Sequence, residues 1–219
     1  MIEYDLDAIV HPYITAYIRD GLPPKSGILA ELEAYAKDHA VPIVQPETAQ
    51  FLLVLVQMLR PKRILEVGCA IGYSAILMAQ GLAEGGTVTT LEWDAGMAKA
   101  ARENVRKAGL EEKIHVICAD AKDVLPTLTG EYDLIFLDGP KAHYIYMLND
   151  CIRLLRRGGV LAADNILYKG MTADDAHVVR RKITIVKRLR RFISAQMQRE
   201  ELVTSVLPLG DGVSLAVKK

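Results

Sequence analysis

The sequence predicts an α/β protein built on a doubly wound, mostly parallel seven-stranded sheet with a reversed last strand and a helical N-terminal cap. Three observations predict it. From residue 63 onward, short apolar runs alternate with helical stretches, as expected when helices cover both faces of a parallel sheet. The first run, Ile64 to Val67, breaks into the glycine turn Gly68-Cys69-Ala70-Ile71-Gly72 and then into a helix. The last two runs flank Pro208-Leu209-Gly210-Asp211-Gly212, a connection short enough for an antiparallel hairpin.

Helices are predicted over residues 2–19 and 27–39, separated by Gly21-Leu22-Pro23-Pro24, with Ser26 as the N-cap of the second. Pro46 opens a third helix to about Leu59, because proline's missing N–H would be unpaired in a first turn anyway. Strands are expected at 63–67, 87–91, 114–118, 132–137 and 159–163. Helical stretches at 73–83, 94–108, 121–128 and 142–156 separate them, and Gly109 and Gly158 supply left-handed residues after helices. A helix over about 174–197 then precedes strands at 201–207 and 212–217. The whole reads as one domain, 1–219, in which residues 1–60 cap a core formed by 61–219.

Composition narrows the function classes. Lys+Arg 27 against Asp+Glu 27 leaves no net charge, so a nucleic-acid partner would need a local basic patch. An apolar fraction of 51% supplies a sizeable core, yet no apolar run has the length of a membrane span. The acidic N-terminus MIEYDLDAIV is unlike a signal peptide. Cys69, Cys118 and Cys151 are odd in number and scattered, as reduced cytoplasmic thiols are.

In an open parallel sheet the carboxyl ends of the strands share one crevice, where ligands bind. At one end of it lies the glycine turn, where backbone can approach a ligand closely. The dinucleotide pattern G-x-G-x-x-G is not met, since Ala70 stands at its second glycine. A pyrophosphate requires that bare backbone; a cofactor without phosphates tolerates Ala70. Glu92 ends the second strand where an acid grips ribose hydroxyls. Trp93 follows with an aromatic face for adenine, and Asp120 and Ala121 follow the third strand, at the adenine edge. At the other end, Asp138, Asp164 and Asn165 offer only oxygen donors, which suits Mg2+ or Ca2+ rather than zinc. Lys141 lies three residues beyond Asp138, able to reach a bound hydroxyl as general base. Plainer readings stay open: a packing turn, a solvated Glu92, an ordinary Asp138-Gly139-Pro140 turn, a helix cap at Asp164-Asn165.

With those residues in hand, the chain resembles the cation-dependent O-methyltransferases that use S-adenosyl-L-methionine, the group of catechol and caffeoyl-CoA O-methyltransferases, with a Rossmann-like class I methyltransferase fold. Glu66-Val-Gly-Cys-Ala-Ile-Gly-Tyr-Ser74 is similar to that family's methionine-binding motif. The resemblance thus implies cofactor contacts from Val44, Glu66, Gly68, Ala70, Gly72, Tyr73, Ser74, Glu92, Trp93, Asp120, Ala121 and Asp138. It implies Mg2+ or another divalent cation at Asp138, Asp164 and Asn165, Lys141 as the catalytic residue, and a homodimer formed through the N-terminal helices. Gly139-Pro140 replaces the bulkier pairs of the catechol and plant enzymes at the acceptor pocket. Leu32–Ile43, Ala70–Ala75 and Asp164–Gly170 are closer still to the bacterial tRNA 5-hydroxyuridine methyltransferases. Seven of the twelve positions from Arg180 to Arg191 are Lys or Arg, a patch suited to tRNA phosphates. The alternatives are a solvated helix face with an apolar stripe of Ile183, Val186, Leu189 and Ile193, and a small phenolic acceptor in place of tRNA. An NAD-dependent oxidoreductase and a non-catalytic cofactor-sensing protein are the rivals from other classes.

Overall fold

The computed structural model describes residues 9–219. Three helices, α1 (Pro12–Asp20), α2 (Ile28–His39) and α3 (Pro46–Leu59), precede a seven-stranded sheet. The part of the first predicted helix that covers residues 2–8 lies outside the described residues. The strands are β1 (Arg63–Val67), β2 (Thr87–Glu92), β3 (Ile114–Cys118), β4 (Tyr132–Leu137), β5 (Leu155–Ala163), β6 (Leu202–Leu207) and β7 (Val213–Lys218). Their order is β3-β2-β1-β4-β5-β7-β6, with β7 antiparallel to both its neighbours. The expected sheet and its reversed last strand are therefore present. Between the strands run α4 (Tyr73–Ala79), α5 (Ala95–Lys107), α6 (Ala121–Val124) and α7 (Tyr144–Leu154), and α8 (Ile183–Gln198) precedes β6.

Alternation along the central strands fills two layers. Ile64, Leu134, Phe136, Val160 and Ala162 face the layer containing α3 and α4. Leu65, Val67, Ile135, Leu137, Leu161 and Ala163 face α7 and α8. Successive side chains on a strand point to opposite faces, so both faces need covering and nearly every strand residue must be apolar. Among the polar strand residues, Glu66, Thr90, Glu92 and Ser214 are buried.

Several boundaries differ from expectation. The N-cap of α2 is Gly27, at φ 57°, rather than Ser26, and makes no side-chain cap bond. The helix predicted from 174 begins at Ile183; residues 175–177 and 180–182 are separate 3-10 turns. Its buried stripe is Val186, Leu189 and Phe192, while Ile183 is 38% exposed and Ile193 only half-buried. Strand β5 starts at Leu155, which pairs with Tyr132 before the register shifts. The Arg156 guanidinium binds Asp133 at 2.5 Å, and Gly158 at φ 71° turns the chain back into line at Val160.

One contact fixes the crevice. Gly68 has φ 87°, and a Cβ added there would lie 2.7 Å from Gly139 Cα and 2.8 Å from the Asp138 carbonyl oxygen. Gly85 also has positive φ (70°) but faces open space. Gly68→Ala should therefore cost about 2 kcal/mol or more, through strain added to overpacking, and Gly85→Ala about 1 kcal/mol from backbone conformation alone. Urea unfolding of the two variants checks this. Equal losses would mean that the Gly68 to Gly139 approach does not constrain the fold.

Candidate active site

The ends of five strands line up along one rim. Backbone bonds continue past the ladder there: Gly68 N donates to Leu91 O, Asp138 N to Val67 O, Asp164 N to Leu137 O and Ala119 N to Glu92 O, all at 2.8–2.9 Å. Because the sheet order reverses between β1 and β4, the crevice opens at that switch point. From β3 to β5 the rim thus carries Asp120, Glu92, Gly68, Asp138 and Asp164 in spatial order.

A cavity of about 500 Å³ lies over this rim. It brings together Val44, Gly68, Ala70, Tyr73, Ser74, Glu92 and Trp93 with Asp138, Lys141, Asp164 and Asn165. A second cavity of about 300 Å³ adjoins it, sharing Gly68, Trp93 and Pro140, and it contains Asp120 and Ala121. Among the expected cofactor residues, Glu66 and Gly72 line neither cavity. Gly72 instead packs against Ala101 of α5, where a Cβ would approach to 3.3 Å. Several lining residues were not singled out in the sequence, among them Gln45 and Met97 on the first cavity; on the second are His143, which ends the 141–143 turn, and Met147 of α7. Their helical spacing of four could have signalled a shared face. The turn at 141–143 directs His143 to that second cavity.

The glycine turn is held from three directions. Glu92 Oε2 accepts from Ala70 N and Oε1 from Asp94 N, each at 3.0 Å, which fastens Ala70 in its left-handed conformation at φ 44°. Asn104 Nδ2 donates to Ile71 O at 2.9 Å. The Tyr73 hydroxyl donates to Glu33 Oε1 at 2.5 Å, linking α2 to the turn. Behind it, Glu66 is fully buried; its Oε2 accepts from Thr90 Oγ1 at 2.6 Å, while Oε1 lacks a well-formed hydrogen bond. Burial pushes the Glu66 carboxyl up to about 7; the Ser74 and Thr90 hydroxyls oppose this, and Asp138 and Glu92 add to it. A buried carboxylate with an unsatisfied oxygen beside a cavity suits a cationic ligand. Trp93, 68% exposed, stands at the mouth shared by the two cavities. Asp120 caps α6 by accepting from Lys122 N at 3.0 Å, a bond that holds its carboxyl below the usual range.

At the opposite end Asp138 and Asp164 terminate neighbouring strands. Burial raises the affinity of Asp138 for a proton, opposed by Lys141, whose Nζ lies 3.1 Å from Asp138 Oδ1. Asp164 is pushed up to about 7, by burial first and then by the Asp138 charge, against the Asn165 N–H at 2.6 Å and Lys141. Asn165 sits at φ 57°, which presents its amide to the same cavity. The buried Tyr144 hydroxyl lies 3.0 Å from Leu137 O and 3.3 Å from Asp164 O, tying the two strand ends together. Among the described residues there is no group of three or more His, Cys, Asp and Glu suited to a metal. The site offers two carboxylates and an amide, all oxygen donors, with excess negative charge that one lysine only partly offsets.

A family model described as O-methyltransferase matches residues 23–219. The chain belongs to that O-methyltransferase family. It is 36% identical over 146 residues to a catechol O-methyltransferase of Mycobacterium tuberculosis, covering 65% of this chain and 66% of that one. It is 31% identical over 182 residues to a catechol O-methyltransferase of Niastella koreensis, covering 80% and 82%. Among solved structures, an O-methyltransferase from Bacillus cereus in complex with SAH superposes with a TM-score of 0.84 at 30% identity, over 94% of this chain and 97% of that one.

Glu66 and Asp164 both hold protons more tightly folded than unfolded, so ionising them destabilises the native state. In ligand-free, chelated protein, stability should fall as pH rises from about 4 to about 7 and level off above that, and Glu66→Gln should flatten part of that slope. Denaturant midpoints across this range test it; a midpoint that rises with pH contradicts it.

Proposed function

We propose that this chain transfers the methyl group of S-adenosyl-L-methionine to a hydroxyl whose neighbouring atom also carries oxygen, assisted by a divalent cation, Mg2+ foremost. One observation carries the reading: Asp138, Lys141, Asp164 and Asn165 share a cavity with the Gly68–Ser74 turn and Glu92. Ser74, Tyr73, Ala70, Gly68 and Val44 surround the methionine end, Glu66 backs the turn from within, and Gly72 shapes it. Glu92 holds the ribose, and Trp93, Asp120 and Ala121 hold the adenine. Asp138, Asp164 and Asn165 would hold the cation, which when bound stabilises a developing oxyanion. Lys141 Nζ takes the hydroxyl proton, and the oxygen forms its bond to the methyl carbon as the carbon–sulfur bond breaks. The strand ends keep the two reacting centres close, which lowers the entropic part of the barrier.

The acceptor we assign is 5-hydroxyuridine of tRNA, converted to 5-methoxyuridine, with O5 and O4 as the adjacent oxygens. Support comes from the sequence likeness given above and from the basic segment. Arg180, Arg181, Lys187 and Arg191 are exposed, and Lys182 lies over the Tyr168 ring, three residues after Asn165. Arg190 belongs to the fold instead, binding Asp175 and the carbonyls of Met171 and Thr172. A small catechol is the second reading, favoured by the names of the relatives above. The Gly139-Pro140 pair leaves the acceptor side without a bulky side chain to clasp such a ring. No helix among the described residues is long and apolar enough to cross a membrane, and Cys69, Cys118 and Cys151 are free thiols, which suits the cytoplasm. The exposed Tyr13, Tyr17, Val54 and Met58 on α1 and α3 suit a homodimer interface.

Mass-spectrometric methyl-transfer assays on 5-hydroxyuridine tRNA beside a catechol panel test the reading. Activity should vanish in EDTA and return with Mg2+, and Asp138→Ala should abolish it. Lys141→Ala should lower kcat roughly 10²-fold or more while SAH affinity changes little. Full turnover in chelator removes the cation, and methylated catechol with untouched tRNA moves the acceptor to the second reading.

A further inference from the structure

The segment that leaves β5 after Asn165 is built unusually. Asn165, Tyr168, Lys169 and Gly170 all have positive φ, at 57°, 47°, 56° and 76°. Three non-glycine residues in left-handed conformations within five positions store strain of order 1–3 kcal/mol each, and the surroundings must impose it. The imposing element is the β6–β7 turn. Gly212 O accepts from Ile166 N at 3.0 Å and Asp211 O from Leu167 N at 3.1 Å. The Asp211 side chain accepts from Lys169 N through Oδ1. Gly212, at φ 87°, lies so close that a Cβ there would reach 2.3 Å from Leu167 Cγ. On its other side the turn rests on the start of α3, where a Cβ on Gly210 would meet Thr48 Oγ1 at 2.7 Å and Gln45 Oε1 at 3.5 Å. Gln45 lines the cofactor cavity. One turn thus touches both the donor-side wall and the segment that follows Asp164 and Asn165.

We propose that Asp211 is a positioning residue of the acceptor site: its main-chain oxygen holds Leu167 and its side chain Lys169, fixing the segment that includes left-handed Tyr168 and Lys169, and this sets where Asn165 presents its amide. Asp211 does not line the cavity, so it acts through the segment and not on the acceptor. The Asp211 carboxyl accepts the Lys169 N–H; burial raises its hold on a proton, opposed by that bond and by the charges of Lys141 and Lys169. Arg190 closes the far end of the same segment through Thr172 O at 2.8 Å and Met171 O at 3.1 Å, leaving Asp211 as its near-end clasp. The inference rests on the reading of Asn165 as a cation ligand.

Three readouts test it: amide hydrogen exchange of residues 165–170, Mn2+ affinity without substrates, and SAH affinity. In the wild type the Ile166, Leu167 and Lys169 amides should be protected. Asp211→Ala should expose the Lys169 amide, quicken exchange at Leu167 and Ile166 to a lesser degree, and weaken Mn2+ about tenfold, the scale seen when a residue behind a metal ligand is removed, with SAH affinity within about twofold. Asp211→Asn, which keeps an acceptor oxygen for Lys169 N–H, should restore protection and bring Mn2+ affinity to within about threefold of wild type. Unprotected amides in the wild type, unchanged exchange in Asp211→Ala, or an Asp211→Asn variant as loose as Asp211→Ala would each overturn the assignment. If the wild type takes up no Mn2+ at all, the cation reading fails instead, and the exchange pattern alone decides whether Asp211 positions the segment.

Discussion

Two carboxylates forced together at neighbouring strand ends constrain this molecule most. Asp138 and Asp164 are fixed by ladder hydrogen bonds from their own backbones, to Val67 O and Leu137 O, so they cannot relax apart. Burial raises the hold of both on a proton, the Asp138 charge raises that of Asp164 further, and Lys141 balances only one negative charge. Buried like charges are tolerated where function requires them and are otherwise eliminated. Much of the surrounding structure is arranged to keep that pair in place: Tyr144 bridging both strand ends, Gly68 and Gly139 in backbone contact, and the hairpin turn bracing residues 166–169.

The donor half of the crevice follows from the same sheet. Placing β1 between β2 and β4 puts the glycine turn between Glu92 on one side and Asp138 on the other. Glu92 engages one lone pair on each oxygen in fastening Ala70 N and Asp94 N, and lines the cavity beside them. That bond explains how alanine occupies a left-handed position that glycine would take without strain. The substitution that excludes a dinucleotide fingerprint is thereby compatible with a well-formed turn.

The sheet class, the reversed strand and the shared rim were legible because they rest on near-continuous apolar runs, a short closing turn and oxygen-bearing residues at the strand ends. What escaped was decided by contacts between segments distant in sequence. Ser26 looked like a cap, yet the chain turns at Gly27. Residues 174–182 carry helical composition, but Asp174 caps a 3-10 turn by accepting from Ala176 N, and Arg190 ties Asp175 to α8. Phe192, not Ile183, completes the buried stripe of α8, because Tyr144 offers it an edge-on ring at 5.4 Å. His143 reaches the second cavity through one 3-10 turn, and Asp211 gave no local sign of reaching Lys169, 42 residues away. Lys141, Asp138, Asp164 and Asn165 were found because each stands one to four residues beyond an apolar strand, where only a short turn separates it from the rim.

Isothermal titration of Mn2+ into the SAH-saturated protein near pH 7, repeated in buffers of different ionisation enthalpy, tests the carboxylate pair most directly. One ion per chain should bind, releasing up to about one proton, because a carboxyl held near 7 must ionise to become a ligand. Binding without proton release, or no binding at all, would contradict the view that Asp138 and Asp164 form a charged pair waiting for a cation.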